Sequence, residues 1–123
     1  MKRLISYGRN RLSAFGYAFN GAWDLLRNQA PSKIHVAAFV GMMFVSWYLA
    51  FPLWKWVAVL MCSGMVLAAE ALNTAVEYVV DLVSPEYHVL AGKAKDVAAG
   101  AVLFTAVFSG VAAILMIGEE LLR

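Results

Sequence analysis

Apolar residues recur along this chain in two rhythms. Between Arg11 and Asn28 they fall three or four apart, at Leu12, Phe15, Phe19, Ala22, Trp23 and Leu26. Arg11, Ser13, Asn20, Asp24 and Arg27 fill the other side. A helix turns about 100° per residue, so this spacing gathers the apolar side chains into one stripe. It predicts an amphipathic helix over residues 11–29, lying in a membrane interface rather than across it. The basic residues before it, Lys2, Arg3 and Arg9, are expected to fray.

The second rhythm is continuous. Pro31-Ser32 breaks the amphipathic segment, and Ser32 is a candidate N-cap for the next helix. From Ile34 to Phe51 the chain is apolar over about 18 residues, enough to span a bilayer. His35, near its start, reads as a helix-end interfacial residue. Phe51-Pro52 predicts a tight turn, because proline disfavours helix at the residue before it and is tolerated in a first turn. Trp54-Lys55-Trp56 then reads as an aromatic and basic anchor at the opposite interface. The next segment runs from Leu53 to about Val83, where Ser84-Pro85 ends it. At 1.5 Å per residue it is roughly 45 Å long, more than a hydrocarbon core of about 30 Å. Its last turns should therefore project into the headgroups. A final segment, residues 92–121, begins polar at Lys93, Lys95 and Asp96 and then turns apolar. Ala94, Ala98, Ala99, Gly100, Ala101, Ala106 and Gly110 make it rich in small residues. Such residues allow helices to pack closely in lipid, so a homo-oligomer is expected. The fold class is an all-α membrane protein in one domain: a surface helix at 11–29 and three membrane helices at 33–51, 53–83 and 92–121.

Composition agrees with this pattern. Hydrophobic residues are 63% of the 123 and charged ones 15%, against about 45–50% and about 25% in a soluble domain. That much apolar surface does not fit inside a water-soluble core of this size. A net charge of +2 is too small to argue for nucleic acid. Cys62 is the only cysteine, so there is no intramolecular disulfide; it reads as a small packing residue. No secretory signal is legible, and the first membrane helix would serve as its own insertion signal. Eight of the ten Lys and Arg residues fall in residues 1–33 and 84–96, and the other two are Lys55 and Arg123. The positive-inside rule puts the N-terminus and the residues around 81–96 in the cytoplasm, where ATP is.

The candidate chemistry lies where polar groups are costly. Glu70, Asn73, Glu77 and Asp81 return to one helical face, with Thr74 at its edge, after an almost wholly apolar stretch from Val57 to Ala69. Carboxylates emerging from such a run need protein, a cavity or a cation to face. A second ionisable cluster comes next: Glu86, Tyr87, His88, Lys93, Lys95 and Asp96. Neither a G-x-x-x-x-G-K-[ST] loop nor a G-x-G-x-x-G loop is present, so a nucleotide would be held by side chains and metal. Glu77 suits Mg²⁺, a hard cation that takes oxygen ligands and binds with substrate phosphates. Lys95 can neutralise phosphate oxygens. Glu70, one level deeper, suits the base that phosphoryl transfer asks for, and Asn73 can orient Glu70 or the substrate. A lipid headgroup hydroxyl lies at that depth. The bland alternatives are that Asp81 caps its helix or pairs with a lysine, that Lys93 is a solvated cation, and that His88 packs the loop.

These residues also carry a resemblance. Glu70-Ala-Leu-Asn73-Thr-Ala-Val-Glu77, then Asp81, Glu86-Tyr87-His88 and Ala91-Gly-Lys-Ala-Lys95-Asp96-Val-Ala-Ala-Gly100-Ala-Val, resemble the prokaryotic diacylglycerol kinase and undecaprenol kinase family. The similarity runs from about Arg11 to the end of the last apolar run. It implies a homotrimer in the bacterial cytoplasmic membrane, with three membrane helices and a surface helix per chain and sites shared between subunits. It implies transfer of the ATP γ-phosphate, with Mg²⁺, to a lipid alcohol, either diacylglycerol or undecaprenol. By matching motif, Glu70 is the proton acceptor and Glu77 a Mg²⁺ ligand. Arg11, Tyr17, Glu86, Tyr87, His88, Lys95 and Asp96 contact the nucleotide. The family usually has a second metal-binding glutamate at the end of the surface helix, and Gln29 occupies that register here. Asn73-Thr-Ala-Val-Glu77 and Ala98-Ala-Gly-Ala-Val look closer to the undecaprenol kinase branch.

Two other classes remain open on the residues alone. An ion or proton pathway would use the same carboxylates, but Val57 to Ala69 offers no continuing polar path. A non-catalytic assembly subunit would have no use for Lys95-Asp96 or the loop at Glu86-Tyr87-His88.

Overall fold

The computed structural model describes residues 2–123, with side chains from Ser13 onward. Four helices succeed one another: α1 Lys2–Asn28, α2 Ala30–Tyr48, α3 Leu53–Val83 and α4 Val89–Leu121. No strand occurs among the described residues. The helix α3 is the hub. It packs most extensively against α4, then against α2, and α1 touches both α2 and α3.

The boundaries show which local signals prevailed. α3 spans the expected residues because Pro52, extended at φ −65° and ψ 157°, and Ser84-Pro85 bracket it. α1 is already helical from Lys2, which corrects the expected start at 11. α2 begins at Ala30, not 33. Gln29, not Ser32, is its N-cap, and Pro31 sits within its first turn. A proline there gives up only an N–H that had no helical partner. Ser32 is instead completely buried inside the helix, and its Oγ has no hydrogen-bond partner among the described residues.

α2 ends at Tyr48, three residues short of the expected limit, by turning through a left-handed residue. Ala50 has φ 50°. The Phe51 N–H donates to the Ser46 carbonyl at 2.9 Å, and the Ala50 N–H to the Trp47 carbonyl at 3.2 Å. This is a Schellman closure, with alanine where glycine is usual. It drives Phe51 into a small core with Val59 and Met116, flanked by Met42 and Trp56.

Of the described helices, α3 and α4 are long and apolar enough to cross a membrane; α2 is not among them. The expectation of three spans is thus met for two. The reason lies in α2's 19 residues. Pro31, Ser32, Lys33 and His35 occupy its first turns and Ser46, Trp47 and Tyr48 its last, leaving no long window free of polar groups. The bundle wears its apolar residues outward. Phe44, Trp47, Leu103, Phe104, Phe108, Ile114 and Leu115 are all exposed. Water would not tolerate such a surface on a monomer, whereas lipid or another helix would cover it.

Lys55 corrects a second expectation. It is no interfacial anchor: its relative exposure is 0%. Its Nζ donates to Glu120 Oε1 and the Met116 carbonyl, both at 2.8 Å, pairs with Glu119 Oε2 at 3.0 Å and lies 5.0 Å from the Phe51 ring centre. A buried ammonium requires such saturation.

Candidate active site

The polar face of α3 descends in levels of about one turn. Deepest is Glu70, 4% exposed. Its Oε1 lies 3.2 Å from Nε2 of His35 in the second turn of α2. A turn later, Asn73 Nδ2 donates to Glu77 Oε1 at 3.0 Å. Asn73 therefore orients Glu77 and not Glu70 in this structure. Its own Oδ1 is buried with no hydrogen-bond partner among the described residues. A further turn on, at the exposed end, Lys95 Nζ donates to Asp81 Oδ1 at 2.5 Å, tying the start of α4 to the end of α3. Lys95 thus stands paired rather than waiting for phosphate, and Asp81 takes the bland role foreseen for it.

The loop between α3 and α4 is held by its own side chains. Ser84 Oγ donates to the Glu86 carbonyl at 3.0 Å. The Leu90 N–H donates to Nδ1 of His88, which makes His88 the N-cap of α4 and starts that helix at Val89 rather than 92. Glu86 and Tyr87 stay in the loop, exposed, with Tyr87 at 90%. Asp96 on α4 and Tyr17 on α1 are also exposed. Gln29 is half-buried between α1 and α2, and its side chain caps nothing. The side chain of Arg11 lies outside the described residues.

Two contacts here are not predicted by the sequence pattern. Tyr78 donates to Asp24 Oδ2 at 3.1 Å, docking α1 on α3. The other is His35 on Glu70. A signal for it does exist: His35 and Glu70 lie 17 and 18 residues either side of Pro52. Two antiparallel helices leaving one turn bring such positions level, since both rise 1.5 Å per residue.

Glu77 Oε1 accepts from Asn73 Nδ2, and Asn73 Oδ1, on the other side of that amide, is a second hard oxygen with no hydrogen-bond partner among the described residues. That donor chemistry fits Mg²⁺. Among the described residues no three His, Cys, Asp or Glu side chains converge on one point. A cation held there would take its remaining oxygens from phosphate and water, as Mg²⁺ commonly does. Beyond His35 an apolar groove of about 300 Å³ runs along α3 between α2 and α4, past Met42, Val59, Cys62 and Ser109.

Comparison with known proteins resolves the class. The prokaryotic diacylglycerol kinase family model matches residues 16–117. The undecaprenol kinase of Bacillus subtilis is 33% identical over 112 residues, covering 88% of this chain and 91% of that protein. A diacylglycerol kinase of Synechocystis is 38% identical over 99 residues, 80% of this chain and 57% of its own length. The diacylglycerol kinase of Escherichia coli K12 is 32% identical over 92 residues, 75% of each. A helical, membrane-associated enzyme of the lipid kinase class is what fold and matches define together. The chain belongs to the prokaryotic diacylglycerol kinase family.

Proposed function

We propose that this chain transfers the γ-phosphate of ATP to the hydroxyl of a membrane lipid alcohol, with Glu70 as the proton acceptor. The observation that carries this reading is the depth order on α3: a buried carboxylate at Glu70, then the oxygen pair of Asn73 and Glu77, then the charged end at Asp81 and Lys95. A lipid hydroxyl arrives from the apolar side and a nucleotide from the aqueous side, and the two would meet between Glu70 and Glu77. In the transfer, the hydroxyl O–H bond breaks and its proton passes to Glu70. The lipid oxygen, keeping that bond's electron pair, forms a bond to the γ-phosphorus, and the bond from the γ-phosphorus to the bridging oxygen breaks to release ADP. Glu77 and Asn73 would hold Mg²⁺, which when bound offsets charge on the phosphate oxygens. Lys95 exchanges Asp81 for a phosphate oxygen. Tyr17, Glu86, Tyr87, His88 and Asp96, with Arg11, bind the rest of the nucleotide, and Gln29 stands where a second metal ligand is expected.

Four further readings belong to this proposal. α2 crosses the membrane as a third span: its 19 residues measure roughly 28 Å at 1.5 Å each, close to a hydrocarbon core of about 30 Å. The N-terminus and the site face the cytoplasm, by the distribution of Lys and Arg. Three copies assemble, sharing sites between neighbours. In support, α4 is rich in small residues, Gly100 and Gly110 among them, and such residues let helices pack closely in lipid. As acceptor we favour a polyprenol over diacylglycerol, because the match to the undecaprenol kinase runs over nearly the whole of both chains.

The test is phosphate transfer from γ-labelled ATP by purified protein in mixed micelles with Mg²⁺, offering undecaprenol and diacylglycerol in parallel. Label in undecaprenyl phosphate at the higher kcat/KM supports the reading. Label in neither lipid removes it, and faster labelling of diacylglycerol reverses the substrate preference alone.

A further inference from the structure

The side-chain partner of Glu70 among the described residues is His35, and the proposed transfer gives His35 no task. A carboxylate only accepts hydrogen bonds, so the proton of this contact sits on Nε2 of the imidazole. The contact engages Oε1 and leaves Oε2 open. His35 is firmly placed. It lies one turn after the completely buried Ser32, on a helix packed against α3, and its own side chain is about three-quarters buried. It also lines one end of the apolar groove between α2 and α4, and Glu70, which it contacts, lies just beyond that lining.

We infer that His35 is a positioning residue for the phosphoryl transfer: its Nε2–H, 3.2 Å from Glu70 Oε1, aims Oε2 of Glu70 at the lipid hydroxyl. This rests on Glu70 being the proton acceptor. A glutamate has three rotatable side-chain bonds, and a base at the edge of an apolar groove reaches the reacting proton in few of their combinations. Holding one oxygen from a neighbouring helix removes most of that freedom before substrate arrives. Misplacing a catalytic group by about 1 Å can cost ~10²-fold. The proton taken by Oε2 leaves to water afterwards, and His35 keeps its own proton throughout. It therefore serves as a strut, with no part in proton transfer.

The experiment compares His35→Gln, His35→Asn, His35→Ala and Glu70→Gln in the full-length chain, in mixed micelles with γ-labelled ATP and undecaprenol. Glutamine carries an N–H at about the reach of imidazole Nε2, asparagine falls one methylene short, and alanine has no donor. Expected is kcat within about threefold of wild type for His35→Gln, and a fall of about 10- to 100-fold for His35→Asn and His35→Ala, with KM for ATP unchanged. Should His35→Ala fail to fold, the contrast between glutamine and asparagine carries the test, with circular dichroism and thermal unfolding showing both to be intact. Equal kcat in glutamine and asparagine variants, or a loss that appears in KM for ATP, overturns the inference. Glu70→Gln separates the two layers. If it keeps turnover, the proton-acceptor reading fails and this inference with it. If it is inactive while His35→Asn and His35→Ala work as wild type, only the role of His35 fails.

Discussion

Lys55 and Glu120 are joined at 2.8 Å across α3 and α4 at the end of the bundle farthest from Glu77, with the lysine wholly buried. The two carboxylates around this ammonium are not equivalent. The Glu120 side chain is 10% exposed and that of Glu119 50%. Removing one member of a buried pair strands the other charge, whereas a solvated partner is replaced by water. Lys55→Ala and Glu120→Ala should each lower the unfolding temperature in detergent by several degrees or more, and Glu119→Ala by little. A double variant, Lys55→Met with Glu120→Leu, should recover much of the loss, because no buried charge remains. Equal effects of Glu119→Ala and Glu120→Ala in a thermal scan would show that the pair is not the clamp.

The turn out of α2 offers a gain. Ala50 holds φ 50° while its neighbours close the helix by hydrogen bonds. Left-handed backbone costs a residue with a Cβ about 1–2 kcal/mol. Glycine is free of that cost but loses roughly 0.5–1 kcal/mol more entropy on folding. Ala50→Gly should stabilise the protein by about 0.5–1 kcal/mol. Ala50→Val should destabilise it by at least as much, since a β-branched residue fits that region worse. Unfolding in graded denaturant measures both, and a glycine variant less stable than wild type would contradict this balance of terms.

Lys95 has two callers in the proposed mechanism, Asp81 in the free protein and phosphate in the complex. An exposed pair of this kind is worth about 0.2–1 kcal/mol. Asp81→Asn frees the lysine, so KM for ATP should fall, by at most about fivefold at 1 kcal/mol. The effect should fade as salt rises. Lys95→Ala should raise KM for ATP well beyond that range. Initial rates over a range of ATP at low and high salt check this. A raised KM in Asp81→Asn would mean that Asp81 itself serves the nucleotide.

Gln29 is the N-cap residue of α2, and no helix cap depends on its side chain. A glutamate placed there disturbs little of the fold. If Gln29 lies near the bound cation, its neutral oxygen attracts Mg²⁺ less than a carboxylate does, leaving Glu77 as the charged protein ligand. Gln29→Glu should then lower the Mg²⁺ concentration giving half-maximal rate, and Glu77→Gln should raise it steeply. A Mg²⁺ titration decides the matter. An unchanged midpoint in an active Gln29→Glu variant would place Gln29 away from the metal.

Much of the architecture is legible in the chain itself. Proline, serine and the two hydrophobic rhythms act over a single helix, so they bound α3 at both ends and set Glu70, Asn73, Glu77 and Asp81 on one face. Family membership is legible for a similar reason, since the motif from Glu70 to Asp96 is contiguous. Elsewhere local cues compete, and the pattern alone favours the wrong one. Ser32 looks like a cap but is buried, and the N-cap of α2 falls on Gln29 instead. What only the tertiary structure decided are the partnerships between helices: His35 with Glu70, Lys55 with Glu120, Lys95 with Asp81 and Tyr78 with Asp24. Periodicity says which residues share a face of one helix. It does not say which face of the next helix meets them, or at what height. Those depend on the turn at Ala50 and on the rotation at which α2 and α4 pack on α3, which the bundle settles as a whole.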